Sequence, residues 1–139
     1  MKKSVYFLFF IILCNYNFVN AADKINLISL NDIKIIFSTD SKTWNQNLVF
    51  LDKKLSMKKL QLENNNNYSL KTTFNNGYVV ITPYFKLDSV ESLNINYYFN
   101  SFNKKNTDSV LNHFQSLDKD LCNYIKVDKN DIFIDIKNC

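Results

Sequence analysis

Two cysteines near the carboxyl end of the chain are the residues whose chemistry the sequence defines best. The sequence contains three cysteines, Cys14, Cys122 and Cys139, and one histidine, His113. The late pair does not form a Cys-x-x-Cys redox motif, and a structural zinc site needs four ligands in a chain that has a single histidine. When the segment that holds Cys14 is removed on export, the two remaining cysteines indicate one disulfide. We therefore expect a structural Cys122–Cys139 bond.

The residues that could catalyse a reaction do not form a recognisable catalytic pattern. His113 lies in a predicted helix, and the single glycine, Gly77, lies in a predicted turn. The chain therefore lacks the glycine-rich loops that bind phosphate or an oxyanion. Paired carboxylates can hydrolyse glycosides, but nearly all of the 13 acidic residues fall in predicted turns, helix caps or solvent-facing positions. We expect no catalytic residues, with a small hydrolase as the least favoured alternative.

One acidic stretch has the outline of a calcium-binding loop. It begins at Asp128, but Phe133 and Cys139 occupy the sixth and twelfth positions, where an EF-hand needs glycine and glutamate. A tight turn before a final strand explains these residues better. We expect neither a metal nor a cofactor.

The first 21 residues have the layout of a secretory signal peptide. Two lysines precede an unbroken apolar run at 5–14, and Val19 and Ala21 suit a cleavage site after residue 21. A run of about ten residues is too short for a membrane span, which needs about 20. A leucine precedes the cysteine of this run, whereas lipidation requires a small residue there. We expect residues 22–139 to fold as a single exported domain, periplasmic or extracellular, without stable membrane insertion.

The charged residues restrict the class of partner. The chain has 17 lysines and no arginine, with a formal net charge of +4. Arginine supplies the bidentate fork that recognises phosphate and guanine, so we do not expect a nucleic-acid partner. Lysine pairs at 53–54, 58–59 and 104–105 could contact an anionic or acidic partner, although such clusters are common in solvated loops. A glycosylation sequon at Asn67 matters only in a eukaryotic secretory pathway.

The most specific structural signal is a β-hairpin around Asn76-Gly77. This dipeptide favours a type I′ turn, and two runs of β-forming residues flank it. One face of the hairpin is apolar and the other polar, as in an antiparallel sheet with one solvated face. Pro83 lacks an amide donor, so its strand should lie at an edge or be bulged there. The turn so placed pairs Phe74 with Val79, Thr72 with Ile81 and Leu70 with Pro83.

Other segments of the chain alternate in the same way. Segments 24–30 and 32–38 are predicted as strands, and Leu93, Ile95, Tyr97 and Phe99 should share the buried face of another. Segment 40–62 is also interpreted as short strands, because its asparagine-rich start is poor for a helix. The helical alternative there rests on a stripe of Trp44, Leu48, Leu51 and Leu55.

One helix is predicted before the final strand. Its buried stripe recurs at three- and four-residue steps, and Asn106, Thr107 or Asp108 can cap its start. Cys122 should lie near its end, and the final strand should bury Ile132, Ile134 and Ile136. The fold class is α+β, an antiparallel sheet of about six strands with one C-terminal helix packed on one face, followed by a final strand. The helical stripe consists of Val110, Phe114, Leu117, Leu121 and Tyr124.

The solvent-facing side of this sheet is the candidate binding surface. Tyrosine and asparagine are common in adaptable interfaces, although the composition of an AT-rich genome also explains their abundance. We expect a small exported non-enzymatic protein that binds another protein or a surface glycan, such as an inhibitor, immunity-like or recognition module. The alternative is a subunit of an envelope or surface assembly. The candidate residues are Tyr78, Tyr84, Tyr98, Asn94, Asn96 and Asn100.

Overall fold

The protein is an α+β domain built on one antiparallel sheet. The structure, a computed structural model, describes residues 24–46, 51, 53–57, 60–64, 68–117 and 119–139. The predicted signal peptide, Cys14, Asn67 and the lysines at 58–59 lie outside these residues. Within them the helices with defined bounds are α1 (Leu30–Phe37), α2 (Ser41–Gln46) and α3 (Lys104–Gln115), and residues 51, 53 and 54 are also helical. The strands are β1 (Gln61–Asn64), β2 (Ser69–Phe74), β3 (Gly77–Lys86), β4 (Ser89–Phe99), β5 (Leu121–Asp128) and β6 (Asp131–Asn138).

Six strands form the sheet in the order β1-β2-β3-β4-β6-β5, and every neighbouring pair is antiparallel. Side chains alternate along each strand between two faces. We call the face that packs against the helices the inner face, and the opposite one the outer face. Isoleucines fill much of the inner face, because β-branched side chains pack well on a pleated surface. The buried core joins both layers through Ile33, Ile36, Val110 and Phe114 from the helices, and Leu70, Ile81, Ile95, Tyr97 and Ile134 from the sheet.

The first hairpin has the predicted faces but a different register. Phe74 pairs with Gly77 and Thr72 with Val79, so the two loop residues are Asn75 and Asn76. Both loop residues have negative φ, so the turn is not type I′. The register differs from the prediction by two residues, which preserves the face of every side chain.

Burial in the hairpin follows that preserved alternation. Leu70, Val79 and Ile81 are fully buried, whereas Phe74 is half-buried. Lys71 and Thr82, which lie on the polar face of the hairpin, are also half-buried, whereas a fully solvated face would leave them exposed. Pro83 pairs with Leu93 beyond the end of the β2 ladder, next to an irregularity between Tyr84 and Phe85. The local edge predicted for this proline is therefore present.

The prediction of strands at 24–30 and 32–38 is wrong. Residues 24–29 form an irregular segment, and α1 follows it. Ser29 caps this helix by accepting a hydrogen bond from the Asp32 backbone amide at 3.0 Å. The apolar residues Ile33 and Ile36 then fall at helical spacing on the buried side. The cap signal of a serine before the first turn had more predictive value here than the short-range alternation.

The interpretation of segment 40–62 as strands is also mostly wrong. α2 occupies Ser41–Gln46, and β1 begins only at Gln61. Asp40 starts the helix, because its carboxylate accepts from the Thr43 amide and hydroxyl, both at 2.8 Å. Trp44 and Leu51 are buried, as the helical alternative required, whereas Leu48 lies outside the described residues.

The second half of the predicted C-terminal helix is a strand. α3 begins one residue after its cap, Asn103, and ends at Gln115, with Val110 and Phe114 buried as expected. Leu121 and Tyr124 lie instead in β5, and Tyr124 is 70% exposed. A three- to four-residue recurrence fitted these positions, but strand alternation from Leu121 onward fits them as well. β5 and β6 form a hairpin, which confirms the tight turn predicted near Asp128.

The final strand is as predicted. Ile132, Ile134 and Ile136 are all buried on the inner face, and β6 pairs with both β4 and β5. No helix among the described residues is long and apolar enough to cross a membrane.

Candidate functional site

A row of three aromatic rings crosses the outer face. Tyr78 of β3 lies opposite Tyr98 of β4, and their rings stack with centroids 4.9 Å apart. Phe133 of β6 meets Tyr98 edge-on, with centroids 6.0 Å apart. Lys71 of β2 places its Nζ 4.2 Å from the centroid of the Tyr78 ring. We call Tyr78, Tyr98 and Phe133 the aromatic row.

The aromatic row is held by the sheet and not by flexible loops. Its three members lie on adjacent strands, where hydrogen-bonded ladders fix the spacing of neighbouring side chains. Stacked and edge-on contacts between the rings restrict their rotamers further. All three residues are half-buried, so part of each ring remains accessible. The row is therefore a rigid surface that mixes apolar area with phenol hydroxyls.

A shallow depression adjoins the row on the side of β5. Its volume is about 180 Å³. Polar side chains rim it and Phe133 contributes an apolar wall, so it combines hydrogen-bonding groups with an apolar surface. We call it the outer depression. It is lined by Asn94, Asn96, Tyr124, Lys126, Phe133, Ile134 and Asp135.

Five of the six candidate residues lie on the outer face. Tyr78 and Tyr98 belong to the aromatic row, and Asn94 and Asn96 line the outer depression. Tyr84 lies near the end of β3, is 50% exposed, and accepts a hydrogen bond from the Asn94 amide at 3.2 Å.

Asn100 is separate from the other candidates. It follows the end of β4, and its backbone amide donates to the Asn76 carbonyl at 2.7 Å in the neighbouring turn. Its exposed side chain is therefore at the end of the sheet, outside the aromatic row and the outer depression. Asn100 thus lies near the outer face and not on it, because β4 ends one residue earlier.

Sequence reasoning missed several residues of this surface. Tyr124 and Lys126 were placed in or after the helix, although they line the outer depression from β5. Phe133 was considered only as the sixth position of the rejected calcium-binding loop. The missed signal was the polar–apolar alternation of 121–128 followed by Lys129-Asn130, which is typical of a strand and turn.

The Cys122–Cys139 disulfide is present, but it does not attach a helix to the sheet. Cys122 lies in β5, and Cys139 follows β6. Their Cα atoms are 5.1 Å apart, and the Cys139 amide donates to the Asp120 carbonyl at 3.0 Å. The bond therefore closes the open end of the β5–β6 hairpin.

His113 contacts the backbone of the segment before α1. Its Nε2 lies 2.5 Å from the Ile28 carbonyl, to which the ring nitrogen donates. The Ile28 amide in turn donates to the Tyr97 hydroxyl at 3.3 Å, and that hydroxyl donates to the Asn26 carbonyl at 2.9 Å. His113 and Tyr97 thus hold the segment before α1 against the core. Burial raises the pKa of Tyr97 well above its usual value.

One acidic residue is buried, whereas nearly all acidic residues were predicted in turns, helix caps or solvent-facing positions. Asp32 is fully buried in the first turn of α1. Its carboxylate accepts from the Ser56 amide at 2.8 Å, the Ser56 hydroxyl at 2.6 Å and the Met57 amide at 3.3 Å. These bonds attach the 55–57 segment to the helix, so the carboxylate is occupied by backbone and hydroxyl donors.

A larger cleft of about 420 Å³ opens beside the second half of β2. Asn26 lines it, and its side-chain amide donates to the Thr73 carbonyl at 3.0 Å. No described residue that lines the cleft carries an ionisable side chain, so the lining offers no group for acid–base catalysis. The lining consists of Ile25, Asn26, Leu27, Ser56, Met57, Thr72 and Thr73.

The described residues hold no group of three or more histidine, cysteine or acidic side chains arranged to bind a metal. Comparison with known proteins returned no matching family model, no matching curated protein and no matching solved structure.

Proposed function

We propose that this chain is an exported, non-enzymatic binding module that recognises another protein through its outer face. The observation that carries the proposal is the aromatic row, which lies on the sheet face opposite the helices and adjoins the outer depression. Half-buried, prepacked tyrosines supply contact area at little entropic cost on binding.

The chemistry around the row indicates the kind of partner. Asn94 and Asn96 offer both donors and acceptors, and Lys126 and Asp135 place opposite charges on the rim of the outer depression. A protein surface with an apolar residue surrounded by hydrogen-bonding groups would complement this arrangement, since interface cores combine aromatic contacts with a polar rim. A surface glycan is the alternative ligand.

Two features support a binding role over catalysis. His113 is engaged with a backbone carbonyl at the side of the core, away from the outer face. The described residues that line the larger cleft all have neutral side chains. The disulfide supports an exported location, because such bonds persist in oxidising compartments.

A site-specific photocrosslinker can find the partner and test the surface together. We would place it at Tyr84, which is half-exposed on the outer face, and at Asp108, which is exposed on α3. Expression in the native host should give a crosslinked protein from position 84 that is missing from position 108. Equal crosslinking from both positions would contradict recognition through the outer face.

Binding of the purified partner then tests the aromatic row itself. Tyr98→Ala should weaken binding by about tenfold or more, as expected when an interface aromatic is truncated. The matched control is Phe102→Ala, which removes an aromatic ring that is 65% exposed outside the outer face. Unchanged affinity in Tyr98→Ala, with the variant folded by circular dichroism, would refute the proposed site.

A further inference from the structure

The two edges of the sheet differ in their capacity to pair. β1 has four residues, and its ladder is interrupted between Leu62 and Asn64. β5 has eight residues and pairs with β6 without any irregularity. Natural proteins commonly protect sheet edges by making them short or bulged. β1 is protected in this way, whereas β5 is long, regular and free of proline and glycine.

Alternation along the ladder determines which backbone groups of β5 face outward. The Cys139 amide donates to the Asp120 carbonyl, so the residues at 120 and 139 form a hydrogen-bonded pair. Bonded and non-bonded pairs alternate in an antiparallel ladder. The even-numbered residues of β5 therefore bond to β6. The amides and carbonyls of Leu121, Asn123, Ile125 and Val127 point to the open edge, and no strand among the described residues pairs with them.

Two of the more exposed apolar side chains flank this edge. Tyr124 is 70% exposed and points to the outer face, while Val127 is 48% exposed and points to the inner side. An added strand would cover part of both. The edge thus combines unpaired backbone groups with accessible apolar area on either side.

We propose that β5 pairs antiparallel with β5 of a second copy of this chain, about a two-fold axis at Ile125. The pairing is isologous, so the same surface serves both copies. Because β1 is short and bulged, the association ends at a dimer and does not continue into a fibre. The product is a single twelve-stranded sheet with the two outer faces side by side.

The position of the axis follows from the outward-facing backbone groups and the charges. In the new ladder, the outward-facing amides and carbonyls of odd-numbered residues can bond only to those of odd-numbered residues in the second copy. The two numbers of each bonded pair therefore add to an even number, so the two-fold axis passes through a residue and not between two residues. With the axis at Ile125, Lys126 lies opposite Tyr124 of the second copy, beside that copy's Asp135. The lysine can then contact both the ring of this tyrosine and the carboxylate of Asp135 on the next strand.

The other end of the strand agrees with the same register. Asp128 lies opposite Cys122 of the second copy, whose β6 neighbour is Lys137. Lys126 and Asp128 of each copy therefore lie in line with a β6 residue of opposite charge in the second copy. If the axis passed through Tyr124 instead, Lys126 would lie opposite Cys122 of the second copy, next to that copy's Lys137. This register would bring two positive charges together. Charge complementarity thus selects Ile125.

Molecular mass in solution tests the dimer. We would measure it by sedimentation equilibrium from micromolar to millimolar concentration and expect reversible conversion of monomer to dimer. Val127→Pro removes an amide that faces the open edge and leaves the β6 ladder intact, so it should weaken dimerisation by about tenfold or more. The control Val127→Thr keeps the amide and the branched side chain and should still dimerise.

A charge exchange keeps the test decisive if the proline variant fails to fold. Lys126→Glu should weaken the dimer, and adding Asp135→Lys should restore it, because the two rows exchange signs. A monomer throughout the concentration range would overturn the proposal and leave the edge to a strand of a different protein. A dimer that survives both Val127→Pro and Lys126→Glu would also overturn it, since the interface would then lie elsewhere.

Discussion

Gly77 has a structural role, but it is not the role that the sequence predicted. The turn that it was expected to form consists of Asn75 and Asn76, and Gly77 is the first residue of β3. Its φ is +154°, and a Cβ there would lie 1.9 Å from the Tyr98 carbonyl oxygen. The position therefore requires glycine because β4 passes so closely, in addition to its unusual backbone conformation.

Gly77→Ala should consequently destabilise the protein by more than about 1 kcal/mol, since alanine is incompatible with both the φ and the space. Chemical denaturation of the variant measures this loss. The obstructing atom belongs to the β4 backbone, so relief requires a shift of β4 near Tyr98. Wild-type stability in the alanine variant would show that β3 and β4 are further apart at this point.

At the scale of elements, prediction succeeded where alternation and burial agreed. β2, β3, β4 and β6 each have one apolar and one polar face, and a sheet with helices on one side requires that pattern. The hairpin register was wrong by two residues, yet every face was correct, because alternation has a period of two. The surface residues of β3 and β4 could therefore be predicted without the right turn.

Prediction failed where short segments fitted two periods. In α1 the isoleucines satisfy strand alternation as well as helical spacing, and only the Ser29 cap distinguishes them. In β5 the same ambiguity extended the predicted helix across Leu121 and Tyr124, which hid one side of the outer depression. The buried carboxylate of Asp32 depends on tertiary contacts with the 55–57 segment, and local sequence does not contain them.

The disulfide gives a prediction for the β5–β6 hairpin. Replacing Cys122 and Cys139 with serine opens a loop with a sequence separation of 17, and should lower the free energy of unfolding by about 3 kcal/mol on the loop-entropy model. The bond closes the hairpin end, so local opening should begin there. Hydrogen exchange should accelerate most at the Cys139 end of β6, with α3 as the internal control.

Equal acceleration in α3 and in the hairpin would contradict this local effect. It would indicate instead that the disulfide stabilises the whole domain uniformly. Free thiols at Cys122 and Cys139 in the native protein would contradict the bond itself.

At the scale of the whole molecule, the irregular segment at 24–29 packs on the core and contacts both the sheet and α3. Tyr97 reaches it from the sheet and His113 from α3, so three distant parts of the chain meet at Ile28. Asn26 extends the same segment to the edge of β2. The domain is therefore complete only when residues 24–29 are in place.

The buried Tyr97 hydroxyl makes stability depend on alkaline pH. The pKa of Tyr97 is raised in the folded state. Its contribution to the free energy of unfolding is therefore fully present below the ordinary tyrosine pKa of about 10, and it is lost as the pH rises above that pKa. Tyr97→Phe leaves the Ile28 amide and Asn26 carbonyl without the hydroxyl and should cost about 1–3 kcal/mol at neutral pH. Above pH 10 the difference between wild type and variant should narrow by about 1.4 kcal/mol per pH unit.

Urea denaturation at a series of pH values measures this difference. The matched control is Tyr124→Phe, because that tyrosine is 70% exposed. A constant gap between wild type and Tyr97→Phe at all pH values would show that Tyr97 ionises equally in the folded and unfolded chain.

The contacts of residues 24–29 also have a consequence for the order of folding. The Tyr97 hydroxyl bonds to Asn26 and Ile28 across sequence separations of 71 and 69, and His113 bonds to Ile28 across a separation of 85. Each of these contacts requires the closure of a long loop, which costs conformational entropy before the contact can form. By contrast, a two-residue turn joins β5 to β6. We therefore expect the segment before α1 to dock late, so that in pulse-labelling hydrogen exchange the Ile28 amide gains protection after the amides of β6.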